Sequence, residues 1–369
     1  MTETVFCTDI GTTSLKAALI TAGGEVVSFS SAVFENPEDR YIAGTWFEKF
    51  KITLQECLKN LNSDDFKVSA LSISGNGPTL VCDSGLTVRW NEKPEHYGVK
   101  ENTGSSLFLP GILLFKKLFS DDFNSSQYIF SGPEYLIYRF TGRACTVLPE
   151  KRFISAYWDK DLLKSFDLNE KKFPPFTGIG QVCGYLTKES SEFLNIKEGI
   201  PVFSGGPDFT AALIGTKTLK PFCICDRCGS SEGFNFCIPE CIKEEGMRSL
   251  PSVIPGLWNL SVLLPESSSL SEEERVYSAK NAIYRLREVA KKNYFDFPDK
   301  IIVTGGQAKN RDFMTRKAKE LGIKLVSCQC EDAELLGNAC TAFYGLKIYS
   351  SLAEAAENIV REKTVYDNL

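Results

Sequence analysis

Apolar and polar positions alternate from the first residues of the chain. Val5 to Ile10, Ser14 to Thr21 and Glu25 to Ser30 read as three short strands, joined by the turns GTT and AGG. The second turn is glycine-rich and short enough to close a hairpin. The period then changes. In GTWFEKFKITLQECLKNL, Phe47, Phe50, Ile52, Leu54, Leu58 and Leu61 recur at helical spacing, and VSALSIS after it has the character of a buried strand. The opening therefore predicts β-β-β-α-β. A long stretch of helix and loop follows, including PEYLIYRFTG, whose proline suits a first helical turn. IPVFSGGPDFTAALIG reads as strand, Gly-Gly turn and helix, with Pro207 at the first helical position and Gly215 ending the periodic run.

From about Leu219 the order begins again. FCICDRCGSSEGFNFCI is an apolar strand, a small polar turn and a second apolar strand, followed by the helix SEEERVYSAKNAIYRLREVAKK and the strand KIIVTGG. This is a repeat of element order, not of residue identity. It predicts an N-terminal domain over 1–217 and a C-terminal domain over 218–369, with a cleft between pseudo-equivalent halves, where ligand sites are favoured.

Composition narrows the class. At 369 residues the chain is comfortable for two domains. A net charge of -5, with no cluster of Lys and Arg, disfavours nucleic acid and anionic membranes as partners. The opening MTETVFCTDIG lacks a basic start and an apolar core, so no secretory leader is expected. The longest apolar runs, such as LPGILLF, are too short to span a bilayer. An odd set of 13 cysteines without regular spacing reads as reduced thiols of a cytoplasmic protein. That reading extends to Cys223, Cys225, Cys228, Cys237 and Cys241, where zinc would want two close pairs on loops. With His96 the single histidine, histidine-based triads and multi-histidine metal sites are excluded by count.

Four segments can carry chemistry. In DIGTTS, a tight turn with Gly11, Thr12 and Thr13 exposes backbone N–H groups and hydroxyls suited to phosphate oxygens. Asp9 just before it can hold a hydrated magnesium ion. CGSSEG, from Cys228 to Gly233, offers the same donors from the other domain. In VTGGQAKN the glycines let a flat ring or a ribose approach the backbone. In GGPDF, Asp208 falls in a first helical turn, which favours its ionised form. A carboxylate there can accept a hydroxyl proton as that oxygen attacks phosphorus. Each segment also has a plain structural reading, as a turn or a helix cap.

Taken in order, the segments resemble the actin-like ATPase arrangement and, more narrowly, the FGGY family of carbohydrate kinases, with xylulokinase-like members nearest. DIGTTSLKAALI resembles the family's first phosphate motif, GGPDFTAALIG its catalytic-aspartate segment, PEYLIYRFTG a helix lining its N-terminal domain. CDRCGSSEGFNF is similar to the second phosphate motif, IIVTGGQAKNRDF to the adenosine motif and DAELLGNACTAFYGL to the closing helix. The resemblance implies two actin-like (ribonuclease H-like) α/β domains, each a mixed sheet flanked by helices. It implies ATP and Mg²⁺ as cofactors and a sugar or polyol as substrate. By the same carry-over Asp208 is the general base, and Asp9 with Asp208 organises the metal. Gly11, Thr12, Thr13, Gly229 and Ser230 contact the phosphates, and Gly305, Gly306 and Asn310 bound the adenosine pocket. Asn76 and Gly77 are left to the substrate, and a homodimer is allowed.

Two departures qualify the resemblance. Where xylulokinases continue ISG with Gln-Met-His, this chain has Asn76, Gly77 and Pro78, so no imidazole reaches a sugar there and xylulose itself is disfavoured. The C-terminal half is also shorter than the family usually has. The rival reading is an actin-like ATP-binding sensor or assembly protein, which would have no use for Asp208. A nicotinamide enzyme is unsupported because SGNGPTL puts Leu80 where a third glycine belongs, and no P-loop motif exists.

Overall fold

Two mixed sheets built on one strand plan make up the frame, seen in a computed structural model that describes residues 1–59, 61, 65–229, 231–265 and 267–367. The N-terminal sheet runs in the order Gly184–Tyr185, Pro201–Pro207, Phe66–Gly75, Thr2–Ile10, Ser14–Thr21, Val26–Val33. The C-terminal sheet runs Arg248–Pro251, Trp258–Leu264, Glu232–Ile238, Ile224–Cys228, Lys300–Thr304, Lys324–Cys328, Glu362–Tyr366. In each, a three-stranded antiparallel meander leads. Two parallel strands then add beyond the first strand: Phe66–Gly75 and Pro201–Pro207 in one sheet, Lys300–Thr304 and Lys324–Cys328 in the other. Parallel neighbours need crossovers, and the intervening helices supply them.

The strands begin and end close to where alternation places them. The first starts at Thr2 and the third covers Val26–Val33, because pairing to the central hairpin strand persists to Val33. One difference matters for function. Pro207 ends a strand instead of opening a helix, and helix Asp208–Gly215 starts one residue later. Gly206 adopts φ +73°, a left-handed conformation open to glycine, and the parallel register shifts between Ser204 and Gly206. Through that shift Pro207 still pairs with Gly75, and the chain then turns directly into the helix.

Each sheet has its own core. In the N-terminal half Phe6, Phe50, Phe140 and Leu71 pack under helix Ala43–Leu58, and in the C-terminal half Phe234, Phe236, Ile283 and Met314 pack under helices Glu272–Lys292 and Arg311–Leu321. A third core joins them. Val5, Cys7, Ala18, Ala70 and Phe203 of the first sheet pack against Leu335, Leu336, Phe343, Ala355 and Ile359. These last residues belong to helices Ala333–Gly345 and Leu352–Ile359, near the other end of the chain.

The halves meet through the helix that follows the last parallel strand of each sheet: Asp208–Gly215 and Ala333–Gly345. They cross antiparallel at two reciprocal points. A Cβ on Gly215 would lie 1.8 Å from the Ala333 carbonyl oxygen, and one on Gly337 would lie 1.9 Å from that of Ala211. The pairs are related by the internal repeat, which surfaces here in the residues themselves as AALIG (211–215) and AELLG (333–337). The sequence reading found only an order of elements. Residue identity persists where backbone touches backbone, because no larger side chain fits. Substituting Gly337 by valine should therefore lower stability by at least about 2 kcal/mol, since forced overpacking typically costs 1–3 kcal/mol and backbone has little room to yield. The urea midpoint of that variant, against a Gly44→Val control at an exposed helical position with nothing within 4 Å, checks this.

Candidate active site

A cavity of about 440 Å³ lies between the halves, lined from one side by Thr12, Asn76, Trp90, Tyr157 and Asp208 and from the other by Arg227, Gly229, Arg248, Gly305 and Glu334. Asp208 enters it as the first residue of its helix, half-buried. Its Oδ1 accepts the backbone N–H of Phe209 at 2.7 Å. Burial raises its pKa above the ordinary carboxylate value, and the Arg227 charge and the N–H groups of Phe209 and Gly77 oppose that rise. The result is a carboxylate basic enough to take a proton, held by short, directional contacts.

Asp9 closes the first strand and is buried. Ser74, its register partner on the parallel neighbour, donates to Asp9 Oδ1 at 2.7 Å. Burial, then the nearby Asp208 charge, pushes Asp9 up to about 6, with Lys16 and Ser74 pulling the other way. Ser74 is itself positioned from the far half. Asn338 donates its amide to Ser74 Oγ and to the Thr8 carbonyl, both at 2.9 Å. Gly205 leaves the space: a Cβ there would lie 2.1 Å from Asn338 Oδ1.

The first turn follows at once. Gly11 N–H donates to the Ser14 carbonyl at 2.9 Å, and Thr13 is exposed. The Thr12 hydroxyl accepts from Asn76 Nδ2 at 3.1 Å and Trp90 Nε1 at 3.4 Å, so it is tied to the wall where Asn76 and Gly77 also sit. In the other half Gly229 reaches the cavity, while Ser230 lies outside the described residues. Gly305, at φ +97°, also lines the cavity, and a Cβ on it would strike the Cys228 carbonyl at 2.8 Å. Gly306 starts a short 3₁₀ turn with open space beside it. Asn310 has a structural task, because its side chain accepts the Phe313 N–H at 3.1 Å and caps helix Arg311–Leu321. The cavity thus brings together Thr12, Asn76, Gly77, Asp208, Gly229 and Gly305, with Asp9 just behind, and does not include Gly11, Thr13, Gly306 or Asn310.

Three charged residues of the cavity escaped the sequence reading. Glu334 stands at the start of helix Ala333–Gly345, where burial and the Asp9 charge push it up to about 8. Arg227 lies on strand Ile224–Cys228, and Arg248 on the outermost strand. For Glu334 a signal was present, a charge heading the apolar run Leu335–Leu336, whereas Arg227 sits beside Asp226 in its strand. Lys16 is half-buried and bound to Asp332 at 2.5 Å, which Lys309 also contacts at 2.8 Å. Burial works to raise Asp332, yet the two ammonium groups hold it below the usual range.

The cysteine cluster forms no disulfide; Cys225, Cys228 and Cys237 are buried thiols, Cys223 is half-buried and Cys241 exposed. Among the described residues, Asp226, Cys228 and Glu232 converge as metal ligands might, but an ammonium group occupies their centre. Lys317 Nζ lies 2.5 Å from Asp226 Oδ2 and 2.6 Å from Glu232 Oε1, all three side chains fully buried. Two carboxylates face one lysine, and the remaining oxygens Asp226 Oδ1 and Glu232 Oε2 have no partner. Burial and the Asp226 charge therefore push Glu232 up to about 7. This cluster clamps both strands leading to the second turn.

Residues 127–215 match the model described as the N-terminal domain of the FGGY family of carbohydrate kinases. No curated relative matches the sequence. Among solved structures, a gluconate kinase from Lactobacillus acidophilus aligns at a TM-score of 0.80 and 14% identity over 100% of this chain and 94% of its own. A xylulose kinase from the same organism aligns at 0.79 and 14% over 99% and 94%, and a Plasmodium falciparum glycerol kinase at 0.76 and 13% over 99% and 94%. The resemblance to FGGY carbohydrate kinases holds, and the fold is their pair of actin-like domains. Among the described residues, no helix is long and apolar enough to cross a membrane.

The buried triad has a measurable consequence. The folded state holds the Glu232 proton more tightly than the unfolded chain, so stability should fall as pH rises from about 4.5 to about 7 and level off above. Glu232→Gln should flatten that part of the profile, read from urea midpoints across the pH range; an unchanged slope would assign the dependence elsewhere.

Proposed function

We propose that the chain is an ATP-dependent carbohydrate kinase that moves the γ-phosphoryl group of ATP to a hydroxyl of a sugar or polyol, with Asp208 as general base. One observation carries the reading: a half-buried carboxylate opens onto the same cavity as donor turns contributed by both domains. A pure nucleotide sensor would gain nothing from an acid tuned upward at that place.

The chemistry follows from the placement. ATP would lie with its phosphates between Thr12 of the first turn and the turn beginning at Gly229, where backbone N–H groups suit phosphate oxygens. The acceptor would occupy the side lined by Asn76, Trp90 and Tyr157. As its hydroxyl oxygen attacks the γ-phosphorus, Asp208 takes the hydroxyl proton. The bond from the γ-phosphorus to the bridging oxygen breaks, and ADP leaves with that electron pair. The aromatic wall limits water, which would otherwise compete as acceptor.

Magnesium suits the donor set. Asp9 presents a carboxylate with one oxygen held by Ser74, and the Asp208 charge bears on it, so two carboxylates are close enough to share an ion. Hard oxygen ligands of this kind hold Mg²⁺ through its waters. When bound, the ion would neutralise phosphate charge.

Asp208→Asn should lower turnover by about 10²–10⁴-fold, the usual contribution of a general base, while ADP affinity stays within about threefold. Because the base must be ionised and burial raises its pKa, wild-type turnover should fall on acidification at a pH above the ordinary carboxylate range. An ADP-coupled screen of pentuloses, hexoses and polyols with magnesium supplies the assay. Full turnover in the variant would remove Asp208 from the mechanism.

A further inference from the structure

We infer that the acceptor is anionic, a polyhydroxy acid whose carboxylate is bound by Arg248 while its reacting hydroxyl lies between Asp208 and Arg227. The inference rests on the kinase reading for the role of Asp208, but not for the anion site itself.

The site is built on one face of the C-terminal sheet. Register sets Arg227 opposite Gly233 and Gly233 opposite Leu263. In the next row Asn235 stands opposite Ser261, and Ser261 opposite Arg248. All six residues except Gly233 line the cavity. The guanidinium of Arg227 lies across the sheet beside Gly233: a Cβ there would sit 3.6 Å from Arg227 Nη2, in ordinary contact. Between the arginines, Ser261 Oγ donates to Asn235 Oδ1 at 3.0 Å, a polar floor suited to hydroxyl groups.

Arg227 is half-buried with its charge felt by Asp208, and Arg248 is exposed at the edge of the cavity. Among the described residues no carboxylate forms an ion pair with either, and Arg227 Nε is a buried donor without an acceptor. Other cations of the region are spent, Lys16 and Lys309 on Asp332 and Lys317 on its two acids. Guanidinium groups are matched by the planar fork of a carboxylate or by phosphate oxygens.

Position separates this anion from the nucleotide's. Arg227 lies two residues before Gly229, and its charge bears on Asp208, which places it at the transfer point. Arg248 is three strands further across the sheet, about 14 Å at the usual strand spacing. Its strand is anchored on the acceptor wall, since Leu250 packs in the cluster of Phe108, Phe153 and Tyr157. The long side chain of Arg248 covers part of that interval, and an acceptor with a hydroxyl at Asp208 and its acidic end toward Arg248 would cover the rest.

Calorimetry on the full chain without nucleotide tests this, using acid and polyol pairs of equal carbon number: glycerate and glycerol, xylonate and xylitol, gluconate and glucitol. At least one acid should bind at least tenfold more tightly than its polyol. Arg248→Ala should erase that difference, with Arg248→Lys retaining part of it and ADP affinity unchanged. If no acid exceeds its polyol, or if Arg248→Ala weakens ADP and spares the acids, the inference is overturned. An acid that binds but is never phosphorylated with ATP and magnesium leaves the anion site standing and removes the kinase reading. A polyol or neutral sugar that is phosphorylated while no acid binds does the reverse.

Discussion

Backbone against backbone at two glycines sets the geometry of the molecule. Gly215 beneath the Ala333 carbonyl and Gly337 beneath that of Ala211 bring two helices closer than any side chain would allow. Each helix follows the last parallel strand of its own sheet, so their contact fixes how the sheets face one another. Asp208 heads one helix and Glu334 the other, and both open onto the same cavity. The separation between the domains at this level is therefore a matter of atomic radii, not of hinge length. Asn338, one residue beyond Gly337, reinforces the junction by reaching the Thr8 carbonyl and Ser74 of the opposite sheet.

That junction also explains the charge pattern. Asp9, Asp208 and Glu334 converge in a poorly hydrated cleft, and burial is the largest cause of the upward pKa shift of each. Packing alone would not gather three acids there, because each charge costs desolvation. The arrangement is economical only if cationic or polarised groups share the space during work. Arg227 supplies part of that from the protein, and magnesium would supply more. The fully buried Lys317 triad follows a different logic. Its ammonium lies within hydrogen-bond reach of both acids, so its role is to hold the strands on either side of the second turn.

Much of this was legible in the residues. Strand alternation gave the first hairpin within a few residues, the Gly-Gly before Asp208 marked the strand-to-helix turn, and the restart near Leu219 announced the second sheet. Three things were hidden. Pro207 looked like a helix start because its preferred φ suits one, but parallel pairing with Gly75 kept it in the strand. Asn310, expected at the edge of an adenosine pocket, also caps a helix, a task its side-chain oxygen does not announce in sequence. Lys317 and Arg248 are far along the chain from the groups they approach, and only tertiary pairing reveals the company they keep. The same holds for Glu334, whose meaning depends on Asp9 more than three hundred positions earlier.

The third core has a consequence for synthesis. Val5, Cys7, Ala18 and Ala70 are made well before their covering partners, Leu335 to Ile359. Between the emergence of Pro207, which completes the first sheet, and that of Ile359, the nascent chain carries a finished sheet with one greasy face uncovered. Such long sequence separation slows folding and exposes intermediates to self-association. The two halves, alike in plan, are thus unequal in time: the second can close its own interior as it emerges, whereas the first must wait for two helices of the second.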